Sequence, residues 1–138
     1  MPDAEAATTS SSLLSRVRDH ADAVAWDRFV ALYAPLLRGW LRRSGVPPHE
    51  HDDLAQDVFH AIAREMPTFA YDRSTGGFRG WLRTVLANRL RHHWRQRQTR
   101  PLATGDERFA ATVLDQLEDP RSGMAAAWDR EHDEHVVA

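Results

Sequence analysis

The apolar and polar positions of this chain alternate with the period of an amphipathic α-helix, three or four residues from one apolar position to the next. The first long series of this kind runs from residue 23 to residue 41. Gly45 and the Pro47-Pro48 pair follow it, and they predict the end of the helix and a turn. Pro35 lies inside the series, so we expect a kink or a short break near Ala34.

A second series predicts a helix over residues 49–65, ended by Pro67. Its apolar positions share one face: Leu54, Val58, Ala61, Ile62 and Met66. Its polar positions share the other: Asp53, Gln56, Asp57, His60 and Arg64. This separation predicts one buried and one exposed face.

A loop over residues 67–77 precedes a third predicted helix, over residues 78–97. The apolar positions of this helix cover a wide arc: Phe78, Leu82, Val85, Leu86 and Leu90. A stripe at intervals of three and four lies opposite: Trp81, Thr84, Asn88, Arg91 and Arg95. The helix therefore presents a ring, a hydroxyl, an amide and two guanidinium groups together.

The remaining segments add to a helical architecture. Residues 1–9 are small and polar and are predicted to be disordered, and Ser10 to Ser12 offer an N-cap for a short helix. Residues 107–117 and 123–135 each fit a helix, with Asp119-Pro120 between them. No strand alternation, internal repeat or glycine-rich phosphate loop occurs. We predict an all-α fold, a compact helical bundle with a helical or disordered acidic C-terminal tail.

Composition narrows the class of protein. A length of 138 residues fits one compact domain with tails. The absence of cysteine excludes disulfides and thiolate metal sites and indicates a reducing compartment. No apolar run is long enough to span a membrane, and the N-terminus lacks a signal pattern, so we expect a cytoplasmic protein.

The formal net charge of −2 conceals a strong segregation of charge. Residues 73–100 carry eight arginines and no acidic residue, whereas residues 101–138 carry three arginines and nine acidic residues. A basic block between acidic flanks is typical of a polyanion site, most often for nucleic acid. The alternative is a solvated arginine-rich helix.

The residue types of the basic helix suit single-stranded DNA. Arginine pairs with phosphate, asparagine can read a base edge, and aromatic rings stack on unpaired bases. Aromatic residues at helical spacing more often belong to a core, which we favour for Phe78, while Tyr71 and Trp81 fit either role. The acidic face of the second helix is either solvated or a docking surface for a basic partner.

Two histidine groups raise the question of a metal. One comprises His49, His51, Asp52 and Asp53; the other comprises His132, Asp133 and His135. Neither has a recognised ligand spacing, and no catalytic arrangement of nucleophile and base occurs. We therefore predict no enzyme activity, no metal and no cofactor.

A family resemblance is carried by residues 52–95, DDLAQDVFHAIAREMPTFAYDRSTGGFRGWLRTVLANRLRHHWR. This segment resembles conserved region 2 of the sigma-70 class of RNA polymerase sigma factors, in particular the extracytoplasmic-function type. The preceding AWDRFVALYAPLLRGWLRRSG looks like the helix that opens that domain. The resemblance implies a region 2 domain over residues 10–100 and an acidic linker or tail over 101–138. No second promoter-reading domain follows residue 100 in this sequence, and we expect a chain cut after the linker rather than an unusual single-domain member.

The family's residue roles transfer position by position. The resemblance implies docking on the clamp helices of the polymerase β′ subunit by Asp53, Gln56, Asp57 and His60, with Asp57 in place of the commoner glutamate. It implies DNA contacts by Phe69, Tyr71, Asp72, Trp81, Thr84, Asn88, Arg91 and Arg95. The implied function is to bind polymerase core and to recognise and melt the minus-ten promoter element while holding a flipped base of the non-template strand. An anti-sigma factor is a further candidate partner.

Two other functions fit parts of the sequence. One is a metal-dependent hydrolase that uses the first histidine group. The other is a helical regulatory module without DNA binding, in which the acidic residues 106–135 mask the basic helix.

Overall fold

A computed structural model describes residues 22–66, 77–97 and 104–137. Its helices are α1 (Ala23–Arg43), a short 3-10 helix (Pro48–Glu50), α2 (His51–Glu65), α3 (Gly77–Arg97), α4 (Thr104–Glu118) and α5 (Gly123–Val137). These described ranges contain no strand, and the predicted all-α fold is confirmed. The expected disordered N-terminus, the short helix after Ser10 and the loop before α3 lie outside the described residues.

Helix α1 begins and ends where its sequence directs. The Asp22 carboxylate accepts a hydrogen bond from the Ala25 amide at 2.9 Å and so caps the N-terminus. At the other end Gly45 has a φ of 85°, a conformation that glycine adopts without cost. Its amide and that of Ser44 bond back to carbonyls of the last turn, which closes the helix.

Of the kink or short break expected near Ala34, the break does not occur, since α1 runs continuously through Pro35. Proline removes one intrahelical hydrogen bond, the one that would reach the carbonyl of Ala31. Both Pro35 and Ala31 are exposed, so water can satisfy that carbonyl. Burial of Tyr33 and Leu37 on the opposite side holds the helix in place across the proline.

Helix α2 confirms the predicted amphipathic pattern. Leu54, Val58 and Ile62 are buried against the rest of the bundle, while Asp53 and Gln56 are exposed. The acidic residues of its first turn lie at the positive end of the helix dipole.

The core is aromatic where α1, α2 and α3 meet. Phe29 lies 4.8 Å from Tyr33 and 6.0 Å from Phe78, measured between ring centroids. Phe59 of α2 meets Phe29 edge-on at 6.3 Å. Such edge-to-face pairs add to the stabilisation from apolar burial. Phe78 is a core residue, as the sequence predicted.

The acidic C-terminal segment is helical and packs on the bundle. Helix α4 packs on α3, and α5 packs on both α1 and α3. Trp128 of α5 is fully buried, with its ring 5.5 Å from that of Trp40 and its Nε1 donating to the Arg79 carbonyl at 2.8 Å. On the rim, Arg43 donates to both carboxylate oxygens of Glu131, at 2.7 and 3.3 Å. These contacts fix α5 against α1 and α3.

Within the described ranges, none of the helices combines the length and the apolar character needed to cross a bilayer.

Candidate nucleic-acid and partner-binding surfaces

Helix α3 has one side open to solvent. Its other sides meet α2, α4 and α5. The open side carries Thr84, Asn88, His92 and Arg95, which we call the α3 strip. Three of these four residues belong to the stripe predicted from the sequence; His92, which continues the four-residue spacing from Asn88, was missed. The strip places hydroxyl, amide, imidazole and guanidinium groups along about three turns of exposed helix.

A chain of polar contacts runs from Asn88 to α4. The Arg91 Nη1 donates to the Asn88 Oδ1 at 3.0 Å. The Arg91 Nη2 forms an ion pair with the Glu118 carboxylate at the end of α4. Arg91 is thereby held at the edge of the α3 strip between a carboxylate and an amide oxygen. Glu118 was not among the predicted residues, and its separation of 27 positions from Arg91 leaves no local signal in the sequence.

Two other predicted DNA contacts are partly engaged within the bundle. Trp81 is half-buried, packs against the core and lies 5.6 Å from the Phe78 ring. The Thr84 hydroxyl donates to the Gly80 carbonyl at 3.1 Å while the residue stays exposed. Trp81 is therefore in part a core residue, and its stacking on DNA stays a prediction.

The predicted loop contacts Phe69, Tyr71 and Asp72 lie outside the described residues. Their contribution to a DNA surface stays a prediction.

Most of the described positive charge of α3 is used inside the molecule. Arg79 pairs with Asp133 and, at 3.5 Å, with Asp129 of α5. Arg83 is buried, and its Nε and Nη1 have no hydrogen-bond partner among the described residues. The acidic α5 thus covers one flank of the basic helix and leaves the α3 strip open.

The predicted docking residues lie together on α2, on the side away from the core. Asp53, Gln56 and His60 are exposed, and Asp57 is half-exposed beside them. We call these four residues the α2 face. The structure brings them together as the spacing predicted.

Asp57 differs from its neighbours because it already has a partner. Its Oδ2 accepts from the Arg89 Nη2 of α3 at 3.0 Å. The side chain of Arg89 is 22% exposed and that of Asp57 44%. This half-buried ion pair joins the α2 face to the helix that carries the α3 strip. Sequence reasoning missed Arg89 because only the packing of α2 on α3 puts it opposite Asp57.

The first histidine group has structural contacts in place of a metal-binding arrangement. His51 Nε2 lies 2.7 Å from the Val46 carbonyl, where it closes the turn before α2. Asp52 pairs with Arg38 of α1 at 2.8 Å. No group of three or more potential metal ligands occurs in the part of the chain that the structure describes. This geometry gives the metal-dependent hydrolase no support.

The second histidine group belongs to the α1–α5 contact. His132 is 1% exposed and hydrogen-bonds through Nε2 to the Tyr33 hydroxyl at 2.8 Å. Burial lowers the pKa of His132 below the ordinary value of 6.5, and the neighbouring Asp133 opposes that shift. His135 contacts the Leu32 carbonyl.

Comparison with known proteins shows the family to which this helical bundle belongs. The family model for sigma-70 region 2 matches residues 29–100, which include α1 from its second turn, all of α2 and all of α3. The chain belongs to the sigma-70 region 2 family. Sigma factors are transcription initiation factors that bind DNA and RNA polymerase, and they carry no catalytic activity.

Two curated relatives indicate which type of sigma factor this chain resembles. The chain is 29% identical over 89 residues to the ECF RNA polymerase sigma factor RpoE of Cereibacter sphaeroides, covering 64% of this chain and 48% of the relative. It is 32% identical over 90 residues to the RNA polymerase sigma factor CnrH of Cupriavidus metallidurans, covering 65% and 46%. The chain therefore spans about half the length of the curated relatives it matches. No solved structure matches it.

Proposed function

We propose that this chain binds RNA polymerase core through the α2 face and captures the non-template strand of the minus-ten promoter element through the α3 strip. The observation that carries the proposal is the exposure of Asn88 and Arg95 on the one open side of α3 in a sigma-70 region 2 domain. The domain proper extends over residues 10–100, and residues 101–138 form the acidic segment that follows it.

The docking half of the proposal rests on shape and charge. Asp53, Gln56 and His60 are exposed on a rigid helix, so no rearrangement is needed before a partner helix can pack there. Carboxylate and amide groups complement a basic helical partner, and such complementarity sets orientation and association rate. The partner we propose is the clamp-helix coiled coil of the polymerase β′ subunit.

The strand-capture half rests on the mix of groups in the α3 strip. Asn88 offers an amide for a base edge, and Arg95 offers an exposed cation for phosphate. Extracting a base from the stack costs a few kcal/mol, and stacking on a ring returns about 1–3 kcal/mol per base. We assign the stacking to Trp81 with Phe69 and Tyr71, and place Asp72 and Thr84 at the same DNA surface.

Promoter melting then requires no chemical step by this chain. The α2 face anchors the domain to polymerase, and the α3 strip stabilises the strand that duplex opening exposes. The ion pair between Asp57 and Arg89 keeps the two surfaces in a fixed relation. An anti-sigma factor would block the function by covering either surface.

Two variants separate the halves of this proposal. Asp53→Arg reverses a charge on the α2 face at an exposed position, and we expect it to weaken binding to polymerase core at least tenfold. Asn88→Ala removes the amide from the α3 strip, and we expect unchanged core binding but slower promoter opening. Core binding is measured by fluorescence anisotropy of the labelled chain, and opening by permanganate reactivity of unpaired thymines.

Each variant is the control for the other. Asp53→Arg is preferred to a change at Asp57, because a change at Asp57 also breaks the contact with Arg89. Core binding of Asp53→Arg at the unmodified affinity would refute docking through the α2 face. Normal opening by Asn88→Ala would refute strand capture through the α3 strip.

A further inference from the structure

The chain from Asn88 through Arg91 to Glu118 bears on how the proposed strand contact selects a base. Arg91 has only donors, so the atom of Asn88 that faces it is the amide oxygen, as the 3.0 Å contact with Oδ1 records. The Asn88 NH₂ group is consequently directed away from Arg91. Because Asn88 is exposed, that NH₂ group is open to a ligand at the α3 strip.

Arg91 in turn is held in place from α4. Its Nη2 pairs with the Glu118 carboxylate, while its Nη1 donates a hydrogen bond to the Asn88 Oδ1. Arg91 and Glu118 have side chains 31% and 39% exposed, so water screens the pair only in part. A planar guanidinium that is fixed at one nitrogen has little freedom at the other. Glu118 therefore restricts the orientation of the Asn88 amide without touching the α3 strip.

We propose that Glu118 is a positioning residue for base selection: through Arg91 it fixes the Asn88 amide with its NH₂ group outward. Asn88 then acts as a hydrogen-bond donor to an acceptor atom on an unpaired base. This inference rests on the proposed strand capture by the α3 strip. It assigns a role in specificity to α4, which lies beyond the region matched by the family model.

Glu118 also neutralises the charge of Arg91. Its removal is therefore expected to change DNA affinity and base discrimination in opposite directions. Without the carboxylate, Arg91 is free to meet a phosphate, which raises overall affinity for single-stranded DNA. The same change releases the Asn88 amide, which lowers discrimination between bases. A residue with a merely structural role would not move these two quantities in opposite directions.

The test uses the full chain bound to polymerase core and a single-stranded DNA library with randomised positions. Sequencing before and after selection gives a base-discrimination ratio at each position, and anisotropy gives overall affinity. We expect Glu118→Gln to lower the largest ratio about two- to five-fold, as the loss of a partly exposed ion pair allows. We expect its overall affinity to rise. The matched control is Asp115→Asn, which removes the same charge from an exposed position of α4 and should leave the ratio unchanged.

Two substitutions at Asn88 distinguish the positioning role of Glu118 from the proposed strand capture by the α3 strip. Asn88→Ala and Asn88→Asp should both reduce the ratio to near one; aspartate still accepts from Arg91 but cannot donate to a base. If both changes abolish discrimination while Glu118→Gln leaves it intact, the positioning role is overturned and strand capture stands. If Asn88→Ala leaves the ratio unchanged, base selection by the α3 strip is itself overturned. Preserved discrimination in Asn88→Asp alone would overturn the donor assignment.

Discussion

His132 is an ionisable group enclosed in the contact between α1 and α5. Its ring stacks on Tyr33 at 5.5 Å between centroids, and its Nδ1 lies 3.2 Å from the Asp133 carboxylate. Asp133 and Asp129 favour the protonated ring, while Arg79 opposes it. Burial outweighs the carboxylates, so the folded protein holds His132 neutral with a pKa below 6.5.

This burial predicts a loss of stability in mild acid. Above the ordinary histidine pKa of 6.5 the ring is neutral in both states, and pH has no effect through it. Below that value the unfolded chain binds the proton more readily, so the free energy of unfolding falls until the folded-state pKa is reached. The slope from one proton cannot exceed about 1.4 kcal/mol per pH unit. Urea denaturation from pH 8 to pH 5 measures it.

Replacement of His132 separates its contribution to the pH dependence of stability from that of the other titrating groups. His132→Gln removes the proton site, and we expect a shallower fall in the free energy of unfolding between pH 6.5 and 5. His49→Gln, at an exposed position, should leave the fall as it was. Identical slopes for the unmodified chain and His132→Gln would show that burial of the neutral ring does not govern the acid response.

Helical spacing predicts which residues share a face, but it does not predict their partners on other helices. Asn88 and Arg95 were placed on one face because positions three, four and seven apart on a helix share a side. The partners of Asp57 and Arg91 were not predicted, since these depend on how α2 and α4 pack on α3. Periodicity thus predicted most residues of each surface, and tertiary packing determines which of their charges are paired.

At the scale of elements, two questions that the sequence left open are answered by the packing. Pro35 leaves α1 unbroken, because buried residues on the opposite side hold the helix and the unbonded carbonyl faces water. The acidic segment after residue 100, for which helix and disorder were both open, forms α4 and α5. The segment carries nine acidic residues, yet Trp128 and Leu117 are fully buried. A few apolar anchors therefore outweigh the average composition of a segment.

The docking of α5 depends on Trp128 more than on the surface ion pairs. Trp128→Ala removes a fully buried ring and the hydrogen bond to the Arg79 carbonyl. We expect it to lower the free energy of unfolding by about 3–5 kcal/mol, the range for large aromatic-to-alanine changes in a core. Urea denaturation followed by circular dichroism gives this value.

The comparison variant for Trp128→Ala is Val24→Ala in the first turn of α1. Val24 is 61% exposed, so the change should stay within about 0.5 kcal/mol. A loss below about 1 kcal/mol in Trp128→Ala would mean that α5 does not pack on α1 and α3 in solution.

For the molecule as a whole, the structure shows that few of the described arginines in the basic block, residues 73–100, are available to bind DNA. The eight arginines of residues 73–100 suggested a broad polyanion site. Arg79, Arg89 and Arg91 pair with carboxylates of α5, α2 and α4, and Arg83 is buried. Much of the positive charge therefore holds the bundle together. Of the described arginine side chains on α3, that of Arg95 is the exposed one.

This distribution predicts a shallow salt dependence for binding to single-stranded DNA. Each phosphate neutralised contributes about −0.7 to the slope of log affinity against log salt concentration. Eight engaged arginines would give a slope of about −5.6, whereas four arginines, Arg95 and the three of this block whose side chains are not described, would give at most about −2.8. We expect a value no steeper than the second, measured by anisotropy of a labelled strand between about 50 and 300 mM salt. Glu118→Gln frees one more cation and should steepen the slope by about 0.7. A slope near −5.6 in the unmodified chain would require that the strand break the pairs of Arg79, Arg89 and Arg91 with α5, α2 and α4, because only then could these arginines reach phosphate.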